Sequence, residues 1–228
     1  MSSLLNSKLM ISYLRKPVLL ALVLLVLPVS VHAEDATLCA PFKNAQIDQS
    51  KLKMMLNAAK DGDLYRIKPD SSKMGFCVNS PLGVIKAEFH DFKGGLALKE
   101  TKEQGSVMVN IAVDSLKVDS AIVGAMLKGE SFFDSEKFPD IVFVSTAFEW
   151  ITDKRAILKG DLSMHGVTKA VAFYVDLTKV KTRQGEEVFT VKASTTIQRS
   201  EFNMHTLSPM VDDRVSLCMT IDTYKHKT

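Results

Sequence analysis

No catalytic or nucleotide-binding signature occurs in the 228 residues: G-x-S-x-G, a Walker loop, G-x-G-x-x-G and H-E-x-x-H are all missing. Without them the chain reads as a non-enzyme, and no cofactor is expected. Cysteine is scarce, with three residues (Cys39, Cys77 and Cys218), and no C-x-x-C occurs. A redox dithiol and a zinc ribbon are therefore unsupported. Glycine and proline, at 11 and 7, are too few for a collagen-like or low-complexity chain. The first 33 residues hold no acid, and they carry the whole net charge of +3 as Lys8, Arg15 and Lys16. The remainder has 26 basic and 26 acidic residues. A balanced body gives no electrostatic reason to expect nucleic acid or an anionic membrane as partner.

What is present begins with an export pattern. The basic residues precede an apolar run, Val18 to Leu27, which Pro28 ends, and Val31-His32-Ala33 resembles a cleavage site. The run is far shorter than the roughly 20 residues a spanning helix needs. Residues 1–33 are thus expected to be a signal peptide cut after Ala33, which sends the mature chain to the periplasm. In that oxidising compartment the three cysteines permit one structural disulfide or three quiet thiols, and spacing does not choose a pair.

Residues 34–62 form an N-terminal helical extension. Leu52, Met55, Leu56 and Ala59 recur at helical spacing, with Asp48 or Ser50 as a cap and Gly62 as the end. This amphipathic helix is expected to pack on the main domain, with a lid or a homodimer contact as the alternative. From residue 63 to 228 the period changes to two. Met74, Phe76 and Val78 alternate with polar or small residues, and so do Ile85, Ala87 and Phe89. Val107 to Val113, Ile141 to Phe148, Ala156 to Met164, Val171 to Leu177, Phe189 to Ile197 and Val215 to Ile221 continue the series. Turn signals separate these runs: Asn79-Ser80-Pro81, Lys93-Gly94-Gly95, Gln104-Gly105, Thr152-Asp153, His165-Gly166 and Gln184-Gly185. One internal stretch, Ser120 to Lys128, reads as a helix. Many strands with short links predict an all-β antiparallel sheet, and closing it into a barrel of about eight strands hides its edges. The Ile141 to Phe148 strand is apolar on both faces, so a helical segment is expected to cover its outside.

Polar residues offer little chemistry. His90, His165, His205 and His226 show no metal-ligand spacing, and no metal site is expected. Asp212-Asp213-Arg214 reads as a charged turn rather than an acid–base pair. The scattered methionines suit an adaptable apolar lining better than a copper-binding run.

The order of short motifs resembles the YceI-like family of exported isoprenoid-binding proteins, a lipocalin-like barrel family. The motifs are Tyr65-Arg66-Ile67, Ser71 to Phe76, Phe89-His90-Asp91-Phe92-Lys93-Gly94, Ser131 to Phe143, Gly160 to Lys169 and Arg199-Ser200-Glu201-Phe202. The sequence departs from the family at Ala87, where Gly is common, and at Ala170, where Pro is common. Val123, Gly124 and Met126 replace polar residues and make the internal helix more apolar. The resemblance implies a polyisoprenoid or long-chain lipid inside the barrel. Alternation then selects the expected apolar lining: Phe76, Val78, Phe89, Val109, Ile111, Phe143, Phe173, Val175, Phe189, Val191, Leu217 and Met219. Lys169, Arg199 and Arg214, near strand ends, could pair with a phosphate headgroup. The expected role is a lipid carrier, with transient membrane contact an open option. The alternatives are an enzyme or redox accessory acting on a lipid such as a quinone, using His165 or His205, and a stress-related barrel with no ligand.

Overall fold

In the computed structural model, residues 49–61, 64–98 and 105–226 are described. Within them the period-two segments form eleven strands of one antiparallel sheet. They are β1 (Leu64–Ile67), β2 (Lys73–Ser80), β3 (Gly83–Phe89), β4 (Phe92–Leu98), β5 (Gly105–Ala112) and β6 (Leu116–Val118), then β7 (Asp140–Trp150), β8 (Arg155–Met164), β9 (Val167–Lys181), β10 (Glu187–Gln198) and β11 (Arg214–Lys225).

Three barrel strands are each built from two of these segments. A 3-10 turn at Pro69–Ser71 separates β1 from β2, yet β11 pairs with both. β4 pairs with β1 and β3 with β2, so β3 and β4 form the next strand. β5 and β6 form the third, broken by a 3-10 turn at Val113–Ser115. With β7 to β11 the count is eight. Each strand pairs with the next in sequence, and β11 returns to β1 and β2. Closure leaves no edge for another chain to extend.

Tight links make this meander geometrically cheap. His165 and Gly166, both at positive φ (49° and 73°), form the two-residue link between β8 and β9. Such a turn matches the twist of the flanking strands. The expected turn at Lys93-Gly94-Gly95 is instead inside β4. A Cβ at Gly94 would overlap the Met108 carbonyl oxygen, and one at Gly95 would stand 2.9 Å from that of Tyr65. These glycines serve close strand packing rather than chain reversal.

Helix α1 (Gln49–Asp61) lies against the outer face of β4, β1 and β5. Its Met55 and Ala58 join Leu64, Ala97, Met108, Val142 and Val144 in a small buried cluster outside the barrel. This covers the outward apolar residues of β7, as their two-faced pattern requires. Helix α2 (Ala121–Lys128) follows β6, and the Ser120 side chain accepts the Val123 N–H at its start. Cys77 and Cys218 are both unbridged. Asp48, Gly62, Cys39 and the cleavage pattern lie outside the described residues.

Candidate functional site

Inward-pointing residues of all eight strands surround a cavity of about 200 Å³. Phe76 and Val78 come from β2, Val109 and Ile111 from β5, and Phe143 from β7. Phe173 and Val175 come from β9, Val191 from β10, and Leu217 and Met219 from β11. Phe89 of β3 completes the expected residues found on the wall. Gly160 of β8 makes room for the Phe143 ring: a Cβ there would stand 2.5 Å from it. Freed in this way, Phe143 meets Phe173 edge to face, with centroids 5.3 Å apart.

Phe189 is the exception. Its ring meets Tyr65 edge to face at 4.8 Å, and it does not line the cavity. Both rings lie toward the end of the barrel opposite α2, where β10 starts and β1 pairs with the end of β11.

The α2 end is capped by residues that no alternating pattern marks. Met126 and Leu127 of α2, Phe132 and Phe133 of the following loop, and Met204, Leu207 and Val211 of the β10–β11 loop all line the cavity. Phe133 packs against Phe76 and Phe89, with centroids 5.9 and 6.0 Å away. Five methionines reach the wall: Met74, Met126, Met164, Met204 and Met219.

Among the described residues only two lining side chains are polar, Arg199 and Thr223, and both are spoken for. Arg199 is 5% exposed. Its Nε donates to the Asp212 carbonyl, Nη1 to those of Met204 (2.6 Å) and Thr206 (2.9 Å), and Nη2 to that of Val211 (3.0 Å). This guanidinium fastens the β10–β11 loop, so it does not serve as the headgroup partner expected from sequence. A phosphate could recruit it only by breaking those bonds. Thr223 Oγ1 accepts the Phe189 N–H and donates to the Phe189 carbonyl, each at 2.9 Å. No unsatisfied side-chain hydrogen-bonding group of the described residues faces the cavity. Lys169 and Arg214 are exposed and off the wall.

The remaining polar candidates brace the same loop. Ser200 donates to Asp213 through its N–H (2.8 Å) and hydroxyl (2.7 Å). The Ser200 hydroxyl bond is the main reason the Asp213 carboxyl lies below its ordinary pKa. Asp212 is lowered chiefly by the Arg214 backbone N–H and then by Asn79. The pair therefore acts as a structural turn. His165 Nδ1 lies 2.9 Å from the Phe202 carbonyl oxygen, and its ring meets Phe138 edge to face. His205 is exposed. Neither histidine lines the cavity. Among the described residues no group of three or more His, Cys, Asp or Glu could hold a metal ion.

An eight-stranded up-and-down barrel around an apolar interior defines the lipocalin-like class of small-ligand barrels. The chain belongs to the YceI-like family: residues 65–223 match the YceI-like domain. A UPF0312 protein of Pseudomonas putida is 34% identical over 122 residues, which cover 53% of this chain and 64% of the relative. A UPF0312 protein of Pseudomonas fluorescens is 30% identical over 145 residues, covering 63% of this chain and 75% of the relative. The chain thus spans about 64% of the length of the first of these curated relatives. Among solved structures, BcnA of Burkholderia cenocepacia superposes with a TM-score of 0.63 at 21% identity, covering 68% of this chain and 98% of that one. A polyisoprenoid binding domain from Saccharophagus degradans gives 0.55 at 9% identity, covering 71% and 98%. At these identities the structural matches establish the fold alone.

Proposed function

We propose that the protein is a periplasmic carrier that holds a polyisoprenoid or related long-chain lipid in the barrel. The observation that carries this reading is the satisfaction of both polar wall residues. With Arg199 and Thr223 committed to main-chain partners, the cavity offers an occupant only hydrocarbon surface. Such a wall selects alkyl or isoprenoid chains, because each buried methylene gains about 0.8 kcal/mol on leaving water and a buried polar group would go unpaired. It also favours binding over catalysis, since Arg199 is the only ionisable group on the wall among the described residues. A solved structure of the same fold is described as a polyisoprenoid binding domain, and the export pattern in residues 1–33 supports the compartment.

Against a bilayer the hydrocarbon gain nearly cancels, so the protein suits transfer across an aqueous gap with transient membrane contact. Native mass spectrometry of protein purified from the periplasm, followed by lipid analysis of its organic extract, tests this. A stoichiometric polyprenyl or acyl species is expected. Apoprotein that also refuses added polyprenyl lipid would move the reading to a barrel with no ligand.

A further inference from the structure

Nine large apolar side chains are exposed among the described residues, and five of them sit at the α2 end of the barrel. Leu82 (100% exposed) and Val84 belong to the β2–β3 hairpin, Ile122 (83%) and Met126 to α2, and Met210 (60%) to the β10–β11 loop. Ile122 and Met126 are four residues apart and so share a face of α2. The β10–β11 loop adjoins the hairpin, since the Asp212 N–H donates to the Asn79 carbonyl. α2 adjoins β6, which pairs with β3. The three tips therefore follow one another around one rim.

Met126 is at once exposed and part of the cavity wall, so the patch and the cavity share a side chain. The tip segments 79–85, 120–127 and 206–211 contain no ionisable residue. The charges that flank these segments balance, with Lys86 and Lys128 against Asp119 and Asp212.

Resting on the carrier reading above, we propose that Leu82, Ile122, Met126 and Met210 seat the α2 end on an uncharged lipid bilayer surface, where the cap beside Met126 meets hydrocarbon and cargo passes it without crossing water. Apolar tips with balanced flanking charge, on a body with 26 basic and 26 acidic residues beyond position 33, commit the surface to neutral or zwitterionic lipid. Discontinuous tips of one or two side chains suit a fluid surface that closes around each of them. A second protein would need a continuous complementary face of about 800 Å² and would cover the cap. Few inserted side chains also keep the contact weak and reversible.

The test uses phosphatidylcholine vesicles and a fluorescent polyprenol analogue as cargo. Wild type, the double variant Leu82→Asp/Ile122→Asp and the control Tyr174→Asp are compared. Tyr174 is 70% exposed and does not line the cavity. Three readouts are taken: flotation with vesicles, cargo transfer from donor to acceptor vesicles, and loading from ethanol followed by native mass spectrometry. The double variant is expected to lose flotation and transfer at least tenfold more slowly, with unchanged loading. Tyr174→Asp should behave as wild type, and raising the salt from 50 to 500 mM should change neither readout. Equal transfer by the double variant, or equal impairment by Tyr174→Asp, would overturn the proposal. So would binding confined to anionic vesicles and lost in salt, or a wild-type dimer in sedimentation that the double variant dissolves. Failure of every protein to load would instead sink the carrier reading, while flotation of empty protein still decides the docking face.

Discussion

Arg199 shows how a residue's neighbours, rather than its charge, decide its role. An arginine near a strand end reads as a candidate anion partner. Its four main-chain acceptors lie five to thirteen residues ahead in a loop with no periodic pattern, so nothing in the sequence marks them. Arg199→Met keeps the apolar stem and removes the donors, leaving several carbonyls in or near the cap unpaired. A loss on the order of 3 kcal/mol is expected at roughly 1 to 3 kcal/mol per orphaned group, read as a lowered urea midpoint with unchanged slope. Unchanged stability with weaker binding of a phosphorylated lipid would return Arg199 to the headgroup role. Gly160 makes a second residue-scale case. Gly160→Ala must displace both the Phe143 ring and the Val144 carbonyl, at a cost of about 1–3 kcal/mol as overpacking, measurable in the same titration. An unperturbed midpoint would mean that the wall yields more easily than its packing implies.

Among the elements, alternation made the long strands legible. Polar and apolar residues take opposite faces in β2 and β11 and nearly so in β8, while β5 turns Met108 outward beneath α1, and eleven of the twelve expected lining residues stand on the cavity wall. Phe189 follows the same alternation, but the wall ends before its position on β10. β4 was illegible because its Gly94-Gly95 pair carries a turn signature, and only the tertiary neighbours Met108 and Tyr65 explain it. The cap was illegible for a different reason: Phe132, Phe133, Met204, Leu207 and Val211 belong to irregular segments whose burial depends on what they cover. The cap also has a pH signature. Asp213 titrates below its ordinary value because Ser200 bonds its charged form. Its contribution is therefore fully present above the unfolded carboxylate pKa of about 3.9 and is lost as the pH falls through the lower folded value. Amide exchange in residues 199–213 should be constant between pH 7 and 5 after correction for intrinsic rates, then rise selectively below about pH 4. Asp213→Asn should abolish that selective rise. Opening that begins near pH 6 would point to a histidine instead.

For the whole molecule, the decisive quantity is the space inside. About 200 Å³ exceeds the roughly 150 Å³ of an apolar cavity that accepts one benzene. It falls short of the roughly 300–1,000 Å³ of drug-sized sites. A short isoprenoid segment fits as the barrel stands. A longer chain requires the flexible methionines Met74, Met126, Met204 and Met219 to move aside, or a tail that leaves past Met126. Trp150, the single tryptophan, stacks on the wall residue Phe148 with centroids 5.8 Å apart, so filling the cavity should alter its emission.

The most direct measurement is native mass spectrometry of a titration with farnesol, a fifteen-carbon isoprenoid alcohol, with Trp150 emission followed in parallel. Wild type is compared with Ala193→Phe, in which a ring is built into the cavity from β10. Wild type should give a one-to-one adduct with a saturating emission change. Ala193→Phe, shown folded by circular dichroism, should respond at least tenfold more weakly. Equal binding by the two proteins would place the ligand outside the barrel and overturn the carrier reading.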